Sequence, residues 1–139
     1  MQVKLSVKYF DHEDLAALND WLVARGRKRE DVSDIPAVGF IVSHDDMKVA
    51  ACFLRRCEGN VGIVDGLTSN PDAPPEIRHA ALDVAINCVC EEAKQREITR
   101  LMAWTVDNSA LIRGCERHGF AKLSHILMSK DLSEPLKIQ

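Results

Sequence analysis

Few residues in this chain announce a chemistry by their spacing. Asp65, Glu58 and His44 are eligible as general bases, and none is singled out by its neighbours. Ser, His and Asp are scattered with no triad-like arrangement, and His125 reads equally well as a polar surface residue. The five cysteines, Cys52, Cys57, Cys88, Cys90 and Cys115, show no zinc-ligand spacing, an odd number points to reduced thiols, and the first four read as small apolar packing groups. Arg25, Arg27, Lys28 and Arg29 form a basic cluster that can meet an anionic ligand or simply solvate a loop.

The elements that must position these groups are easier to read. Val3, Leu5, Val7 and Tyr9 alternate with more polar neighbours, as in a half-buried strand. Asp11 offers an N-cap, Glu13 and Asp14 suit a first helical turn, and Leu15, Leu18, Trp21 and Leu22 give one apolar face that ends at Gly26. The charged run from Arg25 to Asp34 has no apolar stripe and reads as an exposed loop or a broken short helix. Three strands follow, over residues 37–42, 48–56 and 61–68, separated by turn signals, and they predict an antiparallel meander.

Pro75 suits the first turn of a long helix running from Glu76 to about Arg96, with Ile77, Ala81, Val84, Ala85, Cys88 and Val89 on its buried face and Glu91, Glu92, Lys94 and Arg96 at a solvated end. Leu101–Trp104 is a short strand, Asn108 caps a helix carrying Leu111, Ile112 and Cys115, and Gly119 takes its left-handed cap. Residues 123–132 read as a last strand and 133–139 as a tail, leaving a single domain over 1–132. Trp21 and Trp104 read as core. A strand, long helix, strand crossover requires its two strands to lie parallel inside an otherwise antiparallel sheet, so the class is mixed α/β.

The stretch from Leu101 to Phe120 adds something more specific. Asn108, an apolar residue three positions on, and Gly119-Phe120 eleven and twelve positions on resemble the last helix of the GNAT N-acetyltransferase superfamily. The element order is similar to that fold, a mostly antiparallel mixed sheet with a central long helix and a C-terminal helix–strand unit. The resemblance implies acetyl-CoA as co-substrate, held between two splayed strands that end near Leu67–Thr68 and Trp104–Thr105. It also implies a pyrophosphate cradle at the start of the long helix, where Glu76, Ile77, Arg78 and His79 stand, with Asn108 near the cofactor; helix N-termini favour anions in general.

Two departures from the family pattern matter. Its pyrophosphate loop is written Arg/Gln-x-x-Gly-x-Gly/Ala, and the matching positions here are Ala73 to Arg78, with Glu76 and Arg78 in place of the glycines. Pro74 and Pro75 lack amide donors, Glu76 brings negative charge, and Arg78 and His79 can compensate as cations. The family commonly has tyrosine seven residues after the Asn, as proton donor to the departing thiolate; Cys115 stands there. A thiol of pKa about 8.5 can donate a proton or act as a nucleophile, or Cys115 simply packs. Asp65 remains the candidate base.

The leading function is therefore acyl transfer from acetyl-CoA to an unidentified amine, with a strand amide stabilising the oxyanion. The alternative is a GNAT-fold protein without catalysis that binds a protein partner or builds an assembly; a third is a regulatory domain that binds a CoA-like ligand without turnover. Homodimerisation through the last strand is a weaker expectation. A net charge of −3 over 139 residues gives no basic surface for nucleic acid, and no apolar run approaches the roughly 20 residues of a membrane span, so a cytoplasmic location is expected.

Overall fold

The computed structural model describes residues 3–104 and 109–133, the side chains of 109 and 110 excepted. The expected Asn108 cap lies outside these residues. Nine elements follow in order: β1 (Ser6–Tyr9), a 3-10 turn (His12–Asp14), α1 (Leu15–Ala24), β2 (Val38–His44), β3 (Met47–Arg56), β4 (Val61–Ser69), α2 (Pro75–Gln95), β5 (Arg100–Ala103) and α3 (Ser109–Arg117).

The strands lie in sequence order, β1-β2-β3-β4-β5, antiparallel except for the parallel β4–β5 pair that the α2 crossover demands. The centre is β3, whose run Val49 to Leu54 is wholly buried because the sheet is covered on both faces. Ala50, Cys52 and Leu54 pack toward α2, and Ala51 and Phe53 toward α1. On α2, Ala81, Ala85, Val89 and Ala93 recur every fourth residue, which brings the helix close to the sheet. Trp21, Leu18 and Leu22 seal the opposite face, as expected.

The helix ends follow their local chemistry. Asp11 caps the 3-10 turn through the Glu13 amide, and Asp14 returns the bond to the Asp11 amide at 3.0 Å. At the other end of α1, Gly26 (φ 72°) gives a Schellman closure: Gly26 N–H donates to Val23 and Arg27 N–H to Leu22. Gly119 (φ 88°) repeats the device after α3, where Phe120 N–H donates to Cys115 O at 3.1 Å.

Four expectations need correction. No strand forms among the described residues after α3: 121–133 are irregular, and Ile126, Met128 and Leu132 are exposed. Neither parity of Leu123–Leu132 gives an unbroken apolar face, since His125 and Ser129 interrupt one and Ser124 and Lys130 the other. Trp104 is 56% exposed rather than core, because β5 stops at Ala103. Glu92 is buried rather than solvated; the Tyr9 hydroxyl lies 3.2 Å from both its oxygens and Arg96 3.3 Å from one, so an edge strand covers the end of α2. The first strand is also shorter than its alternation, starting at Ser6.

Candidate functional site

The sheet opens where β4 outlasts β5. Their pairing runs only from Val61–Arg100 to Val64–Ala103, while β4 continues to Ser69. From Asp65 onward no described residue pairs with that edge of β4. A peptide group left unpaired at a sheet edge is a template for an extended partner.

The open half of β4 is also bulged. Phe53 pairs with Asp65 and Ala51 with Thr68, so Cys52 alone opposes both Gly66 and Leu67. Gly66 takes φ 63°, and a Cβ there would stand 2.9 Å from Phe53 Cδ2. On the next strand but one, a Cβ at Gly39 would stand 2.3 Å from Phe53 Cδ1. The Phe53 ring thus lies between two glycines of its neighbouring strands, with Phe10 edge-on at 4.8 Å.

A cavity of about 230 Å³ occupies the gap. Its floor is Phe53 and the β4 segment Val64–Thr68; α1 contributes Leu18 and Leu22, α3 contributes Leu111 and Cys115, and Ala103 and Trp104 close the β5 side. The loop after α1 adds Arg27, Glu30, Asp34, Ile35 and Pro36. That loop is pinned: the buried Asn19 side chain accepts from the Glu30 amide at 2.7 Å and donates to its carbonyl at 3.1 Å. Asp65 is held by Arg55 Nε at 2.8 Å, and another nitrogen of the same guanidinium donates to the Asp34 carbonyl at 3.1 Å.

Of the residues expected from sequence, Asp65, Leu67, Thr68 and Cys115 therefore meet in one cavity. Cys115 is 7% exposed, and burial pushes its thiol up, which keeps it protonated and suits proton donation better than nucleophilic attack. Glu76, Ile77, Arg78 and His79 lie outside the cavity, in the first turns of α2. Glu58 sits in the turn after β3, and His44 bonds the Lys4 carbonyl at 3.0 Å; neither lines the cavity. Sequence reasoning passed over Arg55, Glu30, Asp34 and Gly66; only Gly66, a lone glycine inside a strand pattern, carried a signal.

Between β4 and α2 the backbone is largely self-satisfied. Asn70 Oδ1 accepts the Asp72 amide at 2.9 Å, Ala73 N–H donates to Asn70 O at 3.2 Å, and Asn70 Nδ2 donates to Lys48 O at 3.0 Å. Pro74 caps α2 without a side-chain bond and Pro75 has no N–H, which leaves Glu76 and Ile77 to supply the first helix amides. Cations gather nearby instead. Asn70 N–H donates to Val49 O at 2.7 Å, so the Ser69 carbonyl turns to the open side, where Arg25 donates to it and, at 3.1 Å, to Ser69 Oγ. Burial, then the neighbouring Arg78 and Arg27 charges, pushes the Arg25 guanidinium down. Arg78 Nε is buried with no acceptor among the described residues.

Among the described residues no helix is long and apolar enough to cross a membrane, and no cluster of side chains could hold a metal ion. No family model matches the chain, and no curated protein matches it. Solved structures do. An acetyltransferase from Trypanosoma brucei superposes with a TM-score of 0.66 at 15% identity, over 93% of this chain and all of that one (100%). N-acetylglutamate synthase from Neisseria gonorrhoeae, complexed with coenzyme A and L-arginine, gives 0.70 at 17% identity over 88% of this chain and 28% of its own. A transcriptional regulator from Bacillus halodurans C-125 gives 0.72 at 14% identity over 93% of this chain and 100% of its own. At such identities the likeness is one of fold alone, a GNAT-like mixed α/β architecture.

Proposed function

We propose that this protein transfers an acetyl group from acetyl-CoA to a small amine in the cavity beside β4. The observation that carries the reading is the edge of β4 from Asp65 to Thr68, which pairs with no strand among the described residues and lines the cavity. The pantetheine amides would extend the sheet there, placing the thioester over the Gly66–Leu67 bulge. The amine nitrogen attacks the thioester carbon, a bulge amide steadies the oxyanion, and collapse breaks the C–S bond. The amine's proton passes to solvent or to Asp65, and the departing thiolate takes a proton from Cys115 or from water.

At the far end, Arg25 and Arg78 would meet the pyrophosphate with side-chain charge where the family uses glycine amides. His79 is exposed on the same turn and Glu76 opposes the anion. Calorimetric titration with acetyl-CoA, beside desulfo-CoA as an unreactive control, tests the reading. Micromolar binding of both is expected, and no binding at millimolar ligand by folded protein overturns it.

A second reading draws on the loop itself. Asn70 closes the turn, and two prolines remove donors, so little backbone is left to cradle phosphate. A GNAT-fold chain that binds a protein partner without turnover is consistent with that loss, and one similar structure is described as a transcriptional regulator. This reading expects the titration to be flat.

A further inference from the structure

The cavity is lined by charges of both signs as well as by apolar side chains, and that combination selects among amines. One pole is Asp65, whose Oδ2 is taken by Arg55 while Oδ1 has no donor among the described residues. It is fixed from behind, because Arg55 is itself tied to the Asp34 carbonyl. A substrate ammonium presents three donors to such a carboxylate.

The other pole is Arg27. Its backbone is set by the Schellman closure of α1, so its side chain leaves from a rigid point. It lines the cavity and has no carboxylate partner among the described residues. Arg25 and Arg78 stand close enough to act on each other, and neither has a carboxylate among the described residues either. Arginines crowded this way repel one another, and an anionic group at Arg27 would relieve that repulsion while making a paired, charge-assisted contact. Leu18, Leu22, Phe53 and Trp104 form the wall around the poles. The cavity, at about 230 Å³, lies below the usual volume for drug-sized ligands.

Building on the transferase reading above, we infer that the acceptor is a free amino acid with an apolar side chain, its ammonium at Asp65 and its carboxylate at Arg27. Glu30 and Asp34 also line the cavity, and with Asp65 they outnumber Arg27 and Arg55. That excess favours the ammonium, and Arg27 is then what separates an amino acid from a plain amine.

The test uses the whole chain and a panel of L-amino acids, each with its amide and its decarboxylated amine, read by calorimetry without cofactor and by thiol release with acetyl-CoA. At least one apolar amino acid should bind about tenfold more tightly than its amide and its amine, the preference one charge-assisted pair supplies. Arg27→Gln should abolish that preference by weakening the amino acid while the plain amine binds at least as tightly as before, and Arg27→Lys should restore part of the preference. Equal binding of amino acid and amine, a preference that survives Arg27→Gln, or no amino acid bound at all overturns the inference. Amino acid binding without thiol release would instead overturn the transferase reading and keep the two-pole site. Thiol release with plain amines alone would do the reverse.

Discussion

The two ends of α1 carry charge in opposite ways. Before its first turn, Asp14 is wholly buried and answered twice, by Lys8 at 2.7 Å and Lys48 at 2.8 Å, with the Asp11 amide as a third partner. After its last turn, Arg25 and Arg27, with Arg78 from α2, have no carboxylate among the described residues. Charges that complete one another hold a fold together; charges left uncompensated are the ones free to meet a ligand. The first arrangement ties β1, β3 and α1, and the second faces the open end of β4.

The sharpest way to break this contrast is Asp14→Ala, which strands two lysines beside an empty buried site. Stability should drop by about 3 kcal/mol, the low end for breaking a buried pair because both lysines are partly in water. Urea melts measure it, and a loss under 1 kcal/mol would remove the distinction. A pH series is the gentler form. Burial alone would raise the Asp14 carboxyl, but bonds from Lys48, Lys8 and the Asp11 amide outweigh it and hold the group below the ordinary carboxylate range. The contribution is therefore present above the unfolded pKa of about 4 and disappears as pH falls through the lower folded value. Asp14→Asn should flatten that acid limb.

At the other end the sign should invert. Arg78→Met removes a buried nitrogen without an acceptor and one of three repelling charges, so stability should rise by up to about 1 kcal/mol while acetyl-CoA binding weakens. A destabilised variant with unchanged affinity would make Arg78 a structural residue like Asp14. A change of similar size, about 1 kcal/mol, is expected of Cys115→Ala, which trims a small buried thiol, and turnover should fall more than melting if the thiol serves the departing CoA. Equal loss in both would mean it packs.

The fold was largely legible because its signals are cumulative. The apolar run Val49–Leu54 in β3, the order of helices and strands, Gly26 and Gly119 each specify an element locally, and the crossover then leaves one arrangement of the sheet. The site was legible only in part. Asp65, Leu67, Thr68 and Cys115 were named in advance, yet Arg55 and Glu30 join them through pairing register and a loop pinned by Asn19, neither of which has a local sequence signal. The misread C-terminal strand and Trp104 have a common cause: apolar residues imply burial only if a layer exists to cover them, and β5 is too short to provide one.

The ring of Phe53 between Gly39 and Gly66 also sets how this cavity can be redesigned. Enlarging either glycine drives a methyl into the ring, and at Gly66 it also forces a side chain into a left-handed backbone. The side chain between the two glycines that can be changed without that clash is Phe53 itself. Exchanging that ring for leucine would deepen the chamber from below without touching any charged group, and it would leave space beneath Gly39 for a later substitution to exploit.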